Sequence, residues 1–305
     1  MLRGKIDRYV AMQRAMGFKY RIQNCLLQHF ATFAEQHGDT HVRCQTVLDW
    51  AGSTPSVLQK RNRLLTVRRF TIAMRPEDSR HEVPPADAFG RQSARRKIRH
   101  LFSAKDIKQL LTAASQLKPE GSIRPRTYTT LFALLAATGL RICEAIALNT
   151  DDITGDGLLI KSTKFRKDRL VPMHPSTHQA IQGYMAHRMQ FSNIESPLFV
   201  SNSCSRLTYS SVNCIFLQLM RSIGLRGVPG EPGPCIHDLR HTFAVRSLEQ
   251  CAGNRTEISR HMTALSTYLG HAHISDTYWY LQATPTLLVQ ISTAQETCYR
   301  REGDD

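Results

Sequence analysis

The first hundred residues show an apolar pattern that repeats with the period of an α-helix. Leu26, Phe30 and Phe33 follow one another at intervals of four and three positions, and Gly38 comes soon after them. This spacing places the three side chains on one helical face, and the glycine predicts the end of the helix. A further helix is predicted over residues 56–74, with apolar positions near one side and basic positions elsewhere. The pattern indicates a small, all-helical N-terminal domain.

The rest of the chain predicts a mainly α structure with a small antiparallel β-sheet. Ser103 is a predicted N-cap with Asp106 as its capping-box partner, and this helix extends to about Leu117. A long apolar helix is predicted over residues 127–139. Two strands are predicted over residues 158–160 and 169–172. Five more helices are predicted around residues 175–190, 208–222, 237–249, 256–268 and 284–298.

Prolines and charged residues without apolar periodicity mark a change of character after residue 76. Such composition is typical of an extended linker. We therefore expect a small helical domain over residues 1–76, a basic linker over 77–100 and a larger domain over 101–305.

The charge of the chain is strongly positive. It carries 40 Lys and Arg against 25 Asp and Glu, a formal net charge of +15, and residues 1–103 hold 19 basic and 8 acidic residues. A field of this sign favours polyanions, of which nucleic acid is the usual one, although a solubilising surface charge is the alternative. The expected phosphate contacts are the basic residues of the 56–74 helix and of the linker: Lys60, Arg61, Arg63, Arg68, Arg69, Arg95, Arg96, Lys97 and Arg99.

Apolar runs and cysteines argue against several other classes of protein. The longest apolar run, residues 131–140, is far too short to span a membrane, and no apolar segment follows the basic N-terminus. The eight cysteines include no Cys-x-x-Cys pair, which argues against a structural metal and favours reduced, mostly buried thiols. We expect a cytoplasmic protein with no membrane association, no metal and no cofactor.

Candidate chemistry is concentrated in His237, Arg240 and His241, which a helix would place on roughly one side. The alternative for the two histidines is helix capping or hydrogen bonding in the core. Zinc binding by this His-x-x-x-His pair is disfavoured, because the catalytic version has a glutamate after the first histidine and this chain has Asp238.

Arg141 follows the long apolar helix and a Thr-Gly turn. A cation in this position is expected to enter a cleft, with Glu144 one turn later holding it in a bidentate ion pair. The alternative is an exposed Arg141–Glu144 pair on a helix surface, which contributes only about a few tenths of a kcal/mol.

His271 and Tyr280 are nine positions apart. On one continuous helix they would be about 13.5 Å apart along the axis and on opposite faces. They must therefore lie on separate elements in order to cooperate, and Gly270 together with an N-cap at Ser275 supplies the break before a short helix carrying residues 278–280. Simple packing is the alternative for this aromatic cluster, in which Tyr278 also lies.

Together these residues resemble the tyrosine recombinases, the phage-integrase-like site-specific recombinases. The family pattern is an arginine in an Ala-Thr-Gly-Leu-Arg-x-x-Glu box, a hairpin lysine, His-x-x-Arg, Gly-His, and a tyrosine nine residues beyond that histidine. The matching residues here are Arg141 with Glu144, Lys164, His237 with Arg240, His271 and Tyr280. The resemblance covers residues 100–290, and the residues before it are similar to the family's core-binding domain in charge and size. It implies a catalytic integrase domain preceded by a small all-α core-binding (SAM-like) domain.

The resemblance also implies a reaction. Tyr280 would attack a DNA phosphodiester and form a 3′-phosphotyrosyl link with a free 5′-hydroxyl, which conserves the energy of the bond without ATP or metal. Arg141, Arg240 and His271 would bind the phosphate, His237 would position it or move a proton, and Lys164 would protonate the 5′ oxygen. The implied partner is double-stranded DNA at specific recombination sites of a mobile element, bound by a homotetramer in the bacterial cytoplasm and associated there with the nucleoid.

The hairpin lysine departs from the family pattern. The family has Gly-Lys-Gly where this chain has Thr163-Lys164-Phe165. The stretch Lys167-Asp168-Arg169-Leu170-Val171-Pro172 resembles the family's Lys-x-Arg-x-x-Pro pattern, and this alignment still favours Lys164. Lys161 and Lys167 remain alternatives for the general acid. A type IB topoisomerase would share the same chemistry, and a DNA-binding regulator with a relic active site is a third interpretation.

Overall fold

The chain forms two units of tertiary structure, residues 1–96 and 97–305. Each unit has its own hydrophobic core, as separate domains do. The computed structural model describes residues 2–90, 99–161, 168–191, 196–251, 255–271, 273–278 and 280.

Four helices build the described part of the N-terminal unit: α1 Leu2–Ala15, α2 Arg21–Gln36, α3 Cys44–Gly52 and α4 Val57–Met74. On α2, Phe30 is buried as expected, but Leu26 and Phe33 are only partly buried. The buried face is shifted by one position and includes Leu27, because α2 packs against α1, α3 and α4, and these three helices together decide which flank of its apolar stripe is covered. α2 ends just before Gly38, whose φ of +74° favours glycine.

The first part of the predicted linker lies against these helices. His81 is 1% exposed, and its Nδ1 accepts the backbone N–H of Val42 at 3.0 Å. Glu82 donates its own N–H to the Val42 carbonyl at 2.9 Å and accepts the N–H of Cys44 at 2.7 Å, at the start of α3. The N-terminal unit therefore extends beyond residue 76, its predicted end, and residues 91–98 of the linker lie outside the described residues.

The C-terminal unit is mainly helical and contains one small sheet, which confirms the predicted fold class. Ser103 and Asp106 form the predicted capping box at the start of the first helix. The predicted helix over 284–298 lies outside the described residues. The helices described are α5 Ala104–Ser115, α6 Arg124–Thr138, α7 Ile142–Ala147, α8 Pro175–Arg188, α9 Tyr209–Ser222, α10 Ile236–Glu249, α11 Arg255–Leu269 and α12 Ser275–Tyr278, with a 3₁₀ turn at Thr150–Asp152.

The sheet has three antiparallel strands in the order β1 Ile153–Thr154, β2 Gly157–Ile160 and β3 Arg169–Val171. The register pairs Leu158 with Val171 and Ile160 with Arg169. β2 and β3 are the two predicted strands. β1 has only two residues, which is too short to produce an alternating apolar pattern.

α6 is the central helix of this unit and packs against α5, α8 and α10. Its residues Leu131, Phe132, Leu134 and Leu135 are all 1% exposed or less. Contact on several sides explains why this stretch is apolar without a clear one-sided pattern. The helix ends at Gly139, and that end places Arg141 at the start of α7.

None of the described helices is long and apolar enough to cross a membrane. The same residues contain no group of three or more His, Cys, Asp or Glu side chains placed to hold a metal ion. The expectation of mostly buried thiols is wrong for the seven cysteines in the described part of the chain, which are exposed or half-buried. Cys25, Cys143 and Cys214, for example, lie on outward faces of α2, α7 and α9.

Candidate active site

Arg240 is the most deeply buried cation of the C-terminal unit's described part, at 2% exposure. α10 starts with a capping box in which the N–H of Cys235 donates to Asp238, and Arg240 follows in the first turns. Its guanidinium donates from Nη1 to the carbonyl of Gly139 at 2.8 Å and from Nη2 to that of Leu269 at 2.7 Å. Burial, and then the charge of Arg141, lowers the pKa of Arg240 to about 10, so it remains a cation at neutral pH.

Arg141 converges on the same point from a different element. It is the N-cap of α7, and its side chain is 33% exposed. Nη1 donates to the carbonyl of Leu269 at 3.3 Å and Nη2 donates to that of Gly270 at 3.1 Å. Two guanidinium groups therefore meet at the end of α11. Arg141 contacts the backbone of Leu269 and Gly270 as well as Glu144, which an exposed Arg141–Glu144 pair on a helix surface would not do.

Glu144 holds this arrangement, but not by the predicted bidentate pair with Arg141. Arg141 gives it one side-chain bond (Nη1–Oε1, 2.9 Å) and one backbone bond (N–Oε2, 3.0 Å). The forked pair comes instead from Arg169, at 3.1 Å to Oε1 and 2.8 Å to Oε2. Burial alone would raise the pKa of Glu144, but hydrogen bonds and charge from Arg169, and then from Arg141, outweigh it and lower the pKa.

His271 lies between the arginines and the last described helix. Its Nε2 is 3.0 Å from Nη2 of Arg240, and its Nδ1 is 2.8 Å from Oγ1 of Thr277 on α12. Because arginine can only donate, Nε2 is the acceptor and Nδ1 carries the proton that goes to Thr277. Burial, and then the charges of Arg240 and Arg141, lowers the pKa of His271 to about 4, so the ring is neutral at pH 7.

Tyr280 is 5% exposed and lies between two imidazole rings. Its ring centroid is 5.1 Å from that of His241 and 6.0 Å from that of His271, nearly parallel to the latter. Tyr280 is also close enough to Arg240 to raise the pKa of that guanidinium. Tyr278, by contrast, is 51% exposed. The predicted N-cap at Ser275 is displaced by one residue, since α12 begins at Ser275 and ends at Tyr278, before Tyr280.

The two histidines of α10 have different environments. His237 is exposed, and its pKa is lowered by partial loss of hydration and by the charges of Arg240 and Arg99. His241 is 4% exposed and packs on Tyr280, and burial lowers its pKa to about 4. Of the pair, only His237 is open to a ligand.

One of the three candidate lysines of the hairpin, Lys161, lies among the described residues. Lys164 and Lys167 lie outside the described residues. Lys161 is described, and its Nζ lies 2.6 Å from Oδ1 of the buried Asp152, a hydrogen bond that raises the pKa of the lysine. This ion pair keeps Lys161 beside β2, which argues against it as the general acid.

The basic residues predicted to contact DNA from α4 are in part committed to internal contacts. Arg63 donates to the carbonyl of Trp50 at 3.0 Å, and Arg68 donates to that of Pro84 at 2.6 Å. Arg69 is exposed. Two others are half-buried, Lys60 (over the ring of Phe89) and Arg61.

The predicted linker contacts lie mostly outside the described residues, which is the case for Arg95, Arg96 and Lys97. Arg99 is described within the C-terminal unit, 3.5 Å from Oδ1 of Asp238. It therefore adds positive charge beside His237.

The close approach of α6 and α10 depends on Gly139. This residue has φ +61°, and a Cβ built on it would lie 2.5 Å from Cδ1 of Phe243. Phe243 in turn stacks on Tyr268 of α11, with centroids 5.6 Å apart. The glycine thus lets α6, α10 and α11 pack closely together beside Arg240. Its carbonyl is also an acceptor for Arg240.

Replacement of Gly139 by alanine is expected to destabilise the C-terminal unit. The positive φ alone costs about 1–2 kcal/mol for a residue with a Cβ, and the contact with Phe243 adds to it. The matched control is Gly183→Ala in the interior of α8, where a new Cβ meets no atom within 4 Å. That control should stabilise the protein by about 1 kcal/mol. Urea-unfolding midpoints of both variants check this, and two shifts of the same sign would contradict it.

The arrangement as a whole is suited to binding a tetrahedral anion next to a tyrosine. Arg141 and Arg240 supply planar sets of N–H donors, and the neutral ring of His271 lies between them and Tyr280. The sequence reasoning did not assign Arg169, Thr277 or the Gly139–Phe243 contact. Arg169 lies within the family's Lys-x-Arg-x-x-Pro pattern, which is a signal for it, whereas Thr277 has no such signal.

Known proteins of similar sequence and structure show the family of the chain. The profile of the phage integrase family matches residues 100–286. A putative integrase/recombinase y4rB of Sinorhizobium fredii (strain NBRC 101917 / NGR234) is 37% identical and covers 94% of each chain. The tyrosine recombinase XerC of Rhodospirillum centenum (strain ATCC 51521 / SW) is 31% identical over 69% of this chain and 58% of its own.

Solved structures show the same fold. The XerH site-specific recombinase bound to a palindromic difH substrate superposes with a TM-score of 0.64 at 19% identity, over 91% of this chain and 79% of that one. A lambda integrase dimer bound to a COC′ core site gives a TM-score of 0.62 at 17% identity, over 92% and 76%. The matched family profile and the full-length relative show that the chain belongs to the phage integrase family, the tyrosine recombinases.

Proposed function

We propose that this site-specific recombinase cleaves and rejoins DNA through a 3′-phosphotyrosyl intermediate in which Tyr280 is the nucleophile. The observation that carries the proposal is the contact set of Tyr280. Its ring lies against His271, and it is close enough to Arg240, the buried cation of the site, to raise the pKa of that guanidinium. Tyr278, the tyrosine two positions before it, is exposed.

In the cleavage step, the Tyr280 hydroxyl loses its proton to His237 as its oxygen bonds to phosphorus, and the bond from phosphorus to the 5′ oxygen breaks. Arg141 and Arg240 bind the non-bridging oxygens, where negative charge develops, and each such donor typically contributes about 10²–10³ in rate. Lys164 protonates the leaving 5′ oxygen as general acid. Rejoining is the reverse attack by a 5′-hydroxyl, which requires neither ATP nor metal because the link conserves the bond energy.

The two histidines have separate roles in this proposal. His237, exposed beside the arginines, positions the phosphate or moves a proton. His271 donates a hydrogen bond to a phosphate oxygen from Nε2, the atom that accepts from Arg240 in this structure. A phosphate bound between Arg240 and His271 would accept the hydrogen bond that Arg240 donates to Nε2 in this structure. Besides burial, nearby cations lower the pKa of His271, and the negative charge of the phosphate would oppose them and favour a proton on Nε2.

The proposed partner is double-stranded DNA at specific sites of a mobile element. Among proteins of similar structure, the Tn1549 transposon integrase is in complex with transposon right end DNA. The excess of basic residues in positions 1–103 supports binding of the DNA backbone. We place these contacts on a core-binding domain (residues 1–76) and on the basic stretch 77–100, whose first part packs on that domain, before the catalytic domain (101–305). We further propose that the chain acts on DNA as a homotetramer, in the bacterial cytoplasm and at the nucleoid.

Capture of covalent adducts from a random library tests this function. The chain is incubated with nicked duplexes of randomised sequence, and adducts that resist detergent are recovered and sequenced. Enrichment of one sequence motif is the expected result. Relaxation of any supercoiled plasmid without a sequence preference would indicate a type IB topoisomerase instead, and absence of any adduct would point to a DNA-binding regulator.

A further inference from the structure

We infer that Arg169 is a positioning residue for cleavage. Its guanidinium group holds both Arg141 and His271 in place. The inference rests on the proposed function. Arg169 begins β3, and its side chain is 12% exposed. Its guanidinium donates two bonds to Glu144 and one, from Nε, to the carbonyl of Tyr268 at 3.0 Å. All three nitrogens are therefore engaged with protein acceptors, so Arg169 acts on the phosphate through other residues.

The first link is the carboxylate of Glu144. It accepts two bonds from Arg169 and two from Arg141, so each of its oxygens has two donors. A forked guanidinium–carboxylate pair fixes both the distance and the plane of the carboxylate. Arg141 is the N-cap of a helix of only six residues, which is too short to be rigid without tertiary contacts. Without Arg169, Glu144 can rotate, and Arg141 loses its fixed direction.

The second link is the end of α11. The carbonyls of its last residues accept hydrogen bonds from guanidinium groups, and Tyr268 is the acceptor for Arg169. Gly270 follows with φ +67°, and a Cβ on it would lie 2.7 Å from Nη1 of Arg169. The guanidinium thus packs directly against the backbone of Gly270. The next residue is His271, so Arg169 fixes the turn that places the imidazole.

Charge reinforces both links. Arg169 offsets the negative charge of Glu144, which leaves the charges of Arg141 and Arg240 available to a phosphate. Glu144 is largely buried, at 11% side-chain exposure, and removal of its main partner leaves a poorly compensated charge beside Arg141. Arg141 would then pair more tightly with the carboxylate and less with the DNA.

Single-turnover cleavage of a duplex selected from the library tests the role of Arg169. The duplex is made with either a phosphate or an uncharged methylphosphonate at the cleaved position. Arg169→Ala and Arg169→Lys are expected to lower the rate on the phosphate about 10²-fold, as misplacement by about 1 Å does, with DNA affinity unchanged. On the methylphosphonate this loss should shrink, because the charge that Arg141 neutralises is gone. The control is Arg124→Ala, whose side chain donates to the carbonyl of Lys118 at the opposite end of α6 from Gly139, and which should cleave like the wild type.

Two results would overturn the inference. Wild-type cleavage rates in both Arg169 variants would do so, and so would equal losses on the two substrates, which indicate a general loss of structure. If Arg169→Ala does not fold, as thermal melting reveals, Arg169→Lys decides, because it keeps the charge and lacks the fork. Absence of an adduct with the wild-type chain would instead contradict the proposed function, on which the inference depends.

Discussion

Tyr280→Phe is expected to abolish the covalent protein–DNA adduct while DNA binding remains as in the wild type. Phenylalanine keeps the ring that packs between His241 and His271 and removes only the hydroxyl, so the fold should be retained. The hydroxyl oxygen is the atom proposed to bond to phosphorus, and no other group can take its place in the same position. Denaturing gel electrophoresis of reactions with the selected nicked duplex measures the adduct, and mobility shift measures binding.

Tyr278→Phe is the matched control for this experiment. Tyr278 is two residues away, is 51% exposed and lies at the end of α12. Its variant should form the adduct at the wild-type rate. Adduct formation by Tyr280→Phe together with its loss in Tyr278→Phe would reverse the assignment of the nucleophile.

Arg240→Lys is expected to lower the cleavage rate by about 10²–10³-fold. Lysine keeps the charge but lacks the planar guanidinium group. It therefore cannot donate at once to the carbonyls of Gly139 and Leu269 and to the ring of His271. The variant should also lose stability, because each buried carbonyl left without a donor costs about 1–3 kcal/mol. Single-turnover kinetics at saturating DNA separate the loss of rate from the loss of stability.

Arg246→Lys serves as its control on the same helix. Arg246 lies further along α10 and donates to the carbonyl of Phe102 at 2.6 Å, away from the arginine pair. It should cleave DNA at the wild-type rate with a modest loss of stability. If Arg240→Lys cleaved as fast as this control, the role of Arg240 at the phosphate would be wrong.

Local signals in the sequence predicted much of the fold. The capping box of Ser103 and Asp106, the end of α6 at Gly139 and the two strands of the hairpin depend on residues close together in the chain. Such features are decided by short-range hydrogen bonding and backbone preference, and can therefore be predicted from neighbouring positions.

Features that depend on distant contacts could not be predicted in the same way. Arg169 acts on Glu144, 25 positions away, and on the carbonyl of Tyr268, 99 positions away. Arg63 and Arg68 donate to backbone carbonyls of their own unit, although a basic helix face gives no sign of such partners. The order of the family motifs predicted the site residues, but the way in which the arginines hold one another is a property of tertiary packing.

The residue that joins the DNA can be identified directly by peptide mapping of the trapped adduct. Trypsin should release a peptide from His261 to Arg300, which contains Tyr268, Tyr278, Tyr280 and Tyr299. After nuclease digestion of the DNA, fragmentation in the mass spectrometer locates the remaining nucleotide on one of these four residues. The nucleotide is predicted on Tyr280, through its 3′ phosphate. A nucleotide on another tyrosine, or attached through a 5′ phosphate, would contradict the proposed mechanism.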